Sequence, residues 1–287
     1  MELLRTALRS VVDQDYPGPI EILVIFDQSE PVMPIAGPLP PGRLLRALAN
    51  TRTPGLAGAR NTGILAAAGD VVALCDDDDR WLPAKLSQQV RLMTRASHDF
   101  VASGIRVRYA DHVVERIPPS EVRIGELARK RHTALHPSTF VFRRALVAEV
   151  GLVDEEIPGS YGEDYDLLLR AARLRPVAAV QEPLAEVLWH SQSFFTERWQ
   201  TITEALQYLL SKHPELQADP AGRARIGGQM AFAAAALTRR REACSLSWRA
   251  LRSNPAERRA YLALAVAAGL VPASSIVRAA NRRGHGI

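Results

Sequence analysis

The order of apolar and polar positions over the first two thirds of the chain predicts alternating helices and strands. Apolar residues recur at helical spacing between Leu3 and Val12, and the stretch YPGP ends that helix. The next segment, IEILVIFD, is apolar almost throughout, which is typical of a strand buried on both faces of a parallel sheet. Farther along, the pattern predicts a short strand at RLLRAL, a helix over about 56–68, a strand over 71–75, a helix from near Pro83 and a strand at FVASGIRVRY. This alternation is typical of an α/β fold.

Acidic residues follow two of these predicted strands. Asp27 comes directly after the first, and four aspartates, Asp76, Asp77, Asp78 and Asp79, follow the second buried strand. The residue types alone favour a solvated acidic turn. In open α/β sheets, however, ligands bind beyond the carboxyl ends of the strands. Adjacent carboxylates at that position favour a site for a hard divalent cation, which leaves some of its coordination positions to phosphates and water.

The composition changes at Phe194. Beyond this residue Ala, Leu and Arg dominate, no strand pattern is visible, and the predicted helices are broken at four prolines, Pro214, Pro220, Pro255 and Pro272. We therefore expect an α/β domain over residues 1–193 and an all-helical region over residues 194–287.

The net charge of +5 is unevenly distributed between these two regions. Residues 194–287 carry 14 Lys and Arg against 6 Asp and Glu, whereas residues 1–193 carry 22 against 25. We expect the basic charge to be the solvated face of helices, with no nucleic-acid partner; a peripheral contact with an anionic membrane surface is the alternative. The chain has two cysteines and no apolar run of the roughly 20 residues that a membrane helix needs. These features predict a cytoplasmic setting, with the inner face of the membrane as the alternative.

Three segments of the chain carry recognisable motifs. GLAGARNTGILAAAGDVVALCDDDDRWLPAKL contains Ala-Arg-Asn-x-Gly, a Gly-Asp before a strand, Asp-x-Asp and Trp-x-Pro, and it is followed by FVFRRALVAEVGLVDEEI and by GEDYDLLLRAA. Together they resemble glycosyltransferase family 2, the inverting nucleotide-sugar enzymes of GT-A fold: GEDYDLLLRAA is similar to the family's Glu-Asp motif, and FVFRRALVAEVGLVDEEI resembles the segment leading to it. The resemblance covers about residues 2–193. It implies a GT-A nucleotide-diphospho-sugar transferase fold, a Rossmann-like mixed sheet flanked by helices, to which the C-terminal all-α appendage is added.

The resemblance implies that a nucleotide-diphosphate sugar donor is bound by Asp27, Arg60, Asn61, Asp76 and Asp77. Asp27 matches the carboxylate that accepts an N–H group of the donor base. Arg60 and Asn61 match an Arg-Asn pair near the base and the diphosphate. For Arg60, a solvated arginine on the helix surface is the alternative.

The same resemblance implies a divalent cation, Mn²⁺ or Mg²⁺, with Asp76, Asp78 and Asp79 as ligands. LWHSQSF resembles the family's closing segment, so His190 is a late ligand candidate, although a lone histidine is more often structural. Such a cation acts as a Lewis acid on the leaving diphosphate.

Asp164 matches the family's catalytic base, and Glu163 matches its acidic companion. In an inverting transfer one carboxylate takes the proton of an acceptor hydroxyl, which attacks the anomeric carbon opposite the leaving diphosphate. No covalent sugar intermediate is needed. The alternative is structural, because acidic residues in the first turn of a helix stabilise it through the helix dipole.

Two other functions are alternatives: a nucleotidyltransferase and a noncatalytic binding module. A nucleotidyltransferase usually begins with a glycine-rich phosphate loop, and none is visible. A catalytically degenerate, glycosyltransferase-like binding module is the stronger rival, because family 2 normally opens with a strand reading like Pro-Thr-Tyr-Asn and this chain starts at the helix after it. We expect either a start codon farther upstream or an incomplete donor site. The acceptor, a saccharide or a lipid-linked molecule, is inferred by analogy with cell-envelope and polysaccharide synthesis alone.

Overall fold

The computed structural model describes residues 1–35, 37–109, 112–189 and 198–282. The strands are β1 (Ile20–Phe26), β2 (Arg43–Ala49), β3 (Val71–Ala73), β4 (Arg80–Trp81), β5 (Phe100–Tyr109), β6 (His112–Arg116), β7 (Glu121–Val122), β8 (Val141–Arg143) and β9 (Val177–Leu188). The helices that accompany them are α1 (Glu2–Val12), α2 (Leu56–Ala66), α3 (Lys85–Arg95), α4 (Ile124–Arg129), α5 (Leu146–Val150) and α6 (Glu163–Leu174). The C-terminal helices are α7 (Trp199–Lys212), α8 (Pro214–Ala218), α9 (Pro220–Ala236), α10 (Arg240–Ser253), α11 (Arg258–Ala267) and α12 (Ala273–Arg282). Short 3-10 turns cover Pro137–Thr139 and Pro158–Ser160.

The described strands form two sheets, and both kinds of pairing occur. β1 and β2 are parallel, with Ile20 opposite Arg43. The larger sheet has the order β3-β8-β5-β9-β4, with β6 added to β5 and β7 to β9. In it β5 and β9 are parallel and the remaining pairs are antiparallel. The predicted mixed sheet is therefore confirmed.

The burial predicted for β1 is wrong. Of its seven residues only Ile22 is fully buried, and the others are partly exposed. Within the described part of the chain β1 pairs with β2 alone, so its other edge has no neighbouring strand. A strand at such a position is less covered than a strand in the middle of a sheet.

Helices cover both faces of the larger sheet. Along β5, Phe100 and Ala102 belong to one core cluster, which includes residues of α2, α5 and α6. Val101 and Ile105 belong to a second cluster, which includes residues of α1 and α3. Alternate residues of a strand point to opposite faces, so this division is what a sheet between two helical layers requires.

The C-terminal helices α7 to α12 form an all-α appendage, as the composition predicted. They number six in the described residues, rather than about four, and the prolines mark their ends: Pro214 and Pro220 begin α8 and α9, while Pro255 and Pro272 lie between helices. None of the helices in the described ranges is long and apolar enough to cross a membrane.

Buried polar contacts fasten this appendage to α6. His213, between α7 and α8, has its Nε2 atom 2.8 Å from Oδ1 of Asp166, and both side chains are fully buried. Arg170 and Lys212 also contact the Asp166 carboxylate, at 2.7 Å each. Burial raises the pKa of Asp166, but these partners outweigh it and the pKa lies well below its usual range. The third acidic residue of α6 is therefore structural.

Candidate active site

The four aspartates lie in the turn that follows β3. The backbone N–H of Asp76 donates to Oγ of Ser138 at 3.0 Å, and the hydroxyl of Ser138 donates to Oδ2 of Asp79. The 3-10 turn Pro137–Thr139 thus holds both ends of the aspartate run. Asp79 is buried, Asp76 and Asp78 are partly exposed and Asp77 is exposed.

Asp76, Asp79 and His136 form a group that could hold a metal ion. One ligand atom from each lies within 4.8 Å of the others, and His136 Nδ1 is 3.4 Å from Asp79 Oδ2. Burial, together with the negative charges of Asp76 and Asp78, raises the pKa of Asp79 to about 7, although His136 and the hydrogen bond from Ser138 oppose the increase. Because a buried carboxylate is costly to ionise, a neighbouring cation stabilises its charged form. Two carboxylates and an imidazole suit Mn²⁺, and the oxygen ligands suit Mg²⁺.

This ligand group differs from the one that the sequence predicted. Asp78 is not part of it, because the chain turns so that Asp76 and Asp79 converge. His190 lies outside the described residues. His136 was missed, since a histidine 57 positions after Asp79 has no spacing that connects it to the aspartate run.

Arg60 connects the aspartate turn to the start of α6. Its Nη2 atom is 2.7 Å from Oδ1 of Asp76, its Nη1 atom contacts Oε1 of Glu163, and its side chain is only 8% exposed. Burial lowers the pKa of Arg60, but Asp76 and Glu163 outweigh this effect and raise it. The alternative of a solvated surface arginine is therefore wrong.

Glu163 and Asp164 begin α6 after Gly162, whose φ of 85° is left-handed and suits glycine. Both carboxyl groups are buried. Burial raises the pKa of Glu163 to about 7, while Arg60 opposes the increase. Asp164 accepts two hydrogen bonds from Nη2 of Arg131, at 3.0 and 2.8 Å. Each acidic residue therefore has a specific cationic partner in addition to the helix dipole. No motif or spacing in the sequence points to Arg131.

Asp27 fixes the end of β1 to the start of α2. Its carboxylate accepts hydrogen bonds from Asn50 Nδ2 at 2.8 Å, from the Gly55 N–H at 3.0 Å and from Gln28 Nε2 at 3.0 Å. Burial raises the pKa of Asp27, but the hydrogen bonds from the three donors lower it by more. The pKa of Asp27 therefore lies below its usual value. Asp27 thus stands at the strand end that was predicted for it, as a hydrogen-bonded carboxylate.

Asn61 is not brought into the carboxylate cluster. Its side chain is fully buried, exchanges hydrogen bonds with the Val153 backbone at 2.8 and 2.9 Å, and donates to Glu155 Oε1 at 2.6 Å. Because its amide groups are already bonded to the 153–155 segment, the structure does not support a direct contact between Asn61 and a donor. It ties α2 to that segment instead.

The comparisons with known proteins point to one family. The sequence profile of glycosyl transferase family 2 matches residues 2–151. The chain is 30% identical over 176 residues to the uncharacterized glycosyltransferase YwdF of Bacillus subtilis (strain 168), which is 60% of this chain and 63% of YwdF. It is 26% identical over 137 residues to the Escherichia coli UDP-Glc:alpha-D-GlcNAc-diphosphoundecaprenol beta-1,3-glucosyltransferase WfgD, covering 47% of this chain and 51% of WfgD. The matched region thus spans between half and two thirds of these relatives.

A solved structure shows the same fold. TarS of S. aureus, as fragment 1-349 in complex with UDP-GlcNAc, aligns with a TM-score of 0.53 over 98% of this chain and 88% of the fragment, at 16% identity. The predicted GT-A fold is therefore confirmed.

Proposed function

The chain belongs to glycosyl transferase family 2, and from this premise we propose that it transfers a sugar, with inversion, from a nucleotide-diphosphate donor to an acceptor hydroxyl. The observation that carries the proposal is the set of contacts made by Arg60, which joins Asp76 beyond β3 to Glu163 at the start of α6. A donor-binding turn and a catalytic carboxylate must lie side by side for such a reaction.

The donor is proposed to lie along the carboxyl ends of β1 and β3. Asp27 offers carboxylate oxygens for the N–H group of a base, and the Arg60 guanidinium offers donors for phosphate oxygens. TarS was solved with UDP-GlcNAc, and the name of WfgD includes UDP-Glc, which supports a nucleotide sugar as donor. The name of WfgD also includes a diphosphoundecaprenol acceptor, so a lipid-linked saccharide is the acceptor class that we propose.

A divalent cation, Mn²⁺ or Mg²⁺, is proposed to be held by Asp76, Asp79 and His136. When bound there, it would neutralise charge that develops on the leaving diphosphate. The protein contributes the dry, fixed carboxylate of Asp79, held by Ser138 and by the Leu188 N–H at 3.2 Å. These bonds orient a ligand before the ion arrives.

Asp164 is proposed to be the general base. It takes the proton from the acceptor hydroxyl as the oxygen attacks, and Arg131 holds the carboxylate in place through two hydrogen bonds. Glu163 keeps Arg60 at the junction between the donor turn and α6. No nucleophilic side chain is required, since inversion takes place in one displacement.

Calorimetric titration with UDP tests the donor and metal parts of this proposal. UDP should bind in Mn²⁺, and both EDTA and the substitution Asp76→Asn should weaken binding by about tenfold or more, because EDTA removes the cation that faces the diphosphate and Asp76→Asn removes one of the anionic ligands that hold it. Asp70→Asn is the matched control, since Asp70 is exposed and precedes β3 rather than following it. Equal UDP affinity with Mn²⁺ and with EDTA would contradict the metal site.

Release of nucleoside diphosphate from a panel of nucleotide sugars separates an active transferase from a degenerate binding module. The proposed enzyme releases nucleoside diphosphate when a suitable acceptor is present. A protein that binds UDP but releases none from any donor and acceptor pair fits the binding module.

A further inference from the structure

Arg225 on α9 is a buried arginine without a carboxylate partner among the described residues. It is 7% exposed, its Nη2 atom donates to the Tyr165 hydroxyl at 2.7 Å, and its Nε atom has no hydrogen-bond partner in the described part of the chain. Its guanidinium carbon lies 5.2 Å from the centre of the Tyr165 ring. Arginine is rarely buried unless an anion is opposite it, because removing the charge from water is costly.

Two other arginines surround the same place. The guanidinium of Arg131 lies 5.5 Å from the centre of the Tyr165 ring, and its carboxylate partner is Asp164. Arg259 has a carboxylate partner of its own, Glu257, at 3.2 Å, while its Nε atom has no described hydrogen-bond partner. Burial lowers the pKa of Arg225, and the like charges of Arg131 and Arg259 lower it further, while Tyr165 and Glu257 act in the opposite direction. The three guanidiniums carry three positive charges, and the carboxylates of Asp164 and Glu257 carry two negative charges. These five groups together therefore have a net charge of +1.

This cluster is open to solvent on one side. The Arg131 and Arg259 side chains are 38% and 32% exposed, whereas Arg225 is at the buried end. The cluster lies where α6 and the loop after α4 meet the appendage. At this place the Tyr165 hydroxyl donates a hydrogen bond to the Leu127 carbonyl at 2.7 Å. An anion can thus contact Arg131 and Arg259 from solvent, with Arg225 at the buried end of the same cluster.

We propose that Arg131, Arg225 and Arg259 form a subsite for a phosphate group carried by the acceptor. This inference rests on the proposed function, because it takes Asp164 as the base. Arg131 bonds Asp164 through Nη2, and within the described ranges its other N–H groups are left for a phosphate. Bonds of about 2.7–2.9 Å on both sides of a guanidinium, together with the width of the guanidinium itself, would place the phosphate roughly 7–8 Å from Asp164. That distance leaves room for one sugar ring between the phosphate and the attacking hydroxyl.

The donor diphosphate is not the anion that this subsite fits. Its charge is proposed to be met by Arg60 and by the ion at Asp76 and Asp79, whereas Arg225 belongs to the appendage. Two sources of an acceptor phosphate share the same chemistry: a lipid diphosphate that carries the acceptor sugar, and a phosphate ester within a polymer.

Calorimetric titration with farnesyl diphosphate and with glycerol 3-phosphate, both in EDTA and without donor, tests the subsite. The wild-type protein should bind at least one probe, and Arg225→Met should weaken that binding about tenfold or more, because a charge-assisted hydrogen bond contributes at least that factor. Arg223→Met is the matched control: it makes the same change two residues away, at an exposed position of α9, and should leave the affinity unchanged. Preference for farnesyl diphosphate assigns the subsite to a lipid diphosphate, and preference for glycerol 3-phosphate assigns it to a polymer.

The proposal is overturned if the wild-type protein binds neither probe, or if Arg225→Met binds both as the wild type does. If Arg225→Met does not fold, Arg259→Gln gives the same test at a partly exposed position, where a loss of about threefold or more is expected and unchanged affinity overturns the proposal. The measurement uses neither metal nor turnover. Probe binding without any release of nucleoside diphosphate would therefore contradict the proposed function and leave the subsite standing.

Discussion

Replacing Asp164 with asparagine separates the catalytic role proposed for this carboxylate from a structural one. The Asp164 side chain is 9% exposed and accepts two hydrogen bonds from Arg131. Asparagine has nearly the same shape and keeps one oxygen acceptor, but its NH₂ group repels the guanidinium donor and it cannot take a proton from a hydroxyl. The substitution therefore removes the charge with little change in packing.

The cost in stability follows from the ion pair. A hydrogen bond between charged groups contributes about 1.5–3 kcal/mol. Because the Arg131 side chain is 38% exposed and can be hydrated after the change, we expect the free energy of unfolding to fall by about 1–2 kcal/mol. Helix capping alone would give a smaller loss, since asparagine caps a helix nearly as well as aspartate.

The cost in catalysis should be much larger. Loss of a general base lowers turnover by about 10²–10⁴-fold, which corresponds to about 3–5 kcal/mol of activation free energy. The assay is release of nucleoside diphosphate with the identified donor and acceptor, and urea denaturation measures stability separately. UDP affinity should be unchanged.

Arg131→Gln is the matched control, because it breaks the same ion pair and keeps the carboxylate. We expect a similar loss of stability, with an increase in the acceptor KM that exceeds the decrease in kcat. If Asp164→Asn retains near wild-type turnover, the base is assigned wrongly, and Glu163 becomes the next residue to replace.

Three further predictions concern residues around the site and on the appendage. His136→Gln should weaken Mn²⁺ binding, measured by electron paramagnetic resonance titration, by about tenfold or more; an unchanged Kd would remove this residue from the ligand group. Burial lowers the pKa of Lys85 from 10.5 to about 7, so the unfolded state binds the extra proton between these values and stability should rise as the pH increases from 7 to 10. Lys85→Met should abolish that rise and add about 1–3 kcal/mol to the free energy of unfolding at pH 7, and a variant whose pH profile matches the wild type would contradict the burial argument. The combined change Arg239→Gln, Arg240→Gln and Arg241→Gln should leave sedimentation with anionic vesicles unchanged, because we expect these exposed charges to be solvated; a clear loss would establish a membrane contact.

Local features of the sequence located several of the segments that meet at the candidate site. Apolar periodicity located β1 and α2, and the acidic run after β3 identified the turn that holds Asp76 and Asp79. The start of α6 at Glu163 also agreed with the acidic first turn in the sequence. These features are visible because each depends on neighbouring residues, through side-chain period or helix-end chemistry.

Apolar patterning was sufficient to place α1 to α3 and the strand ends that carry carboxylates, whereas the partners of those carboxylates depend on how the chain packs. Three contacts became visible only in three dimensions: His136 beside Asp79, Arg131 on Asp164 and Arg225 on the Tyr165 hydroxyl. Each depends on how separate segments pack, and no spacing along the chain records that packing. The burial of β1 was misjudged for the same reason, because an apolar segment does not reveal whether a strand lies on both sides of it.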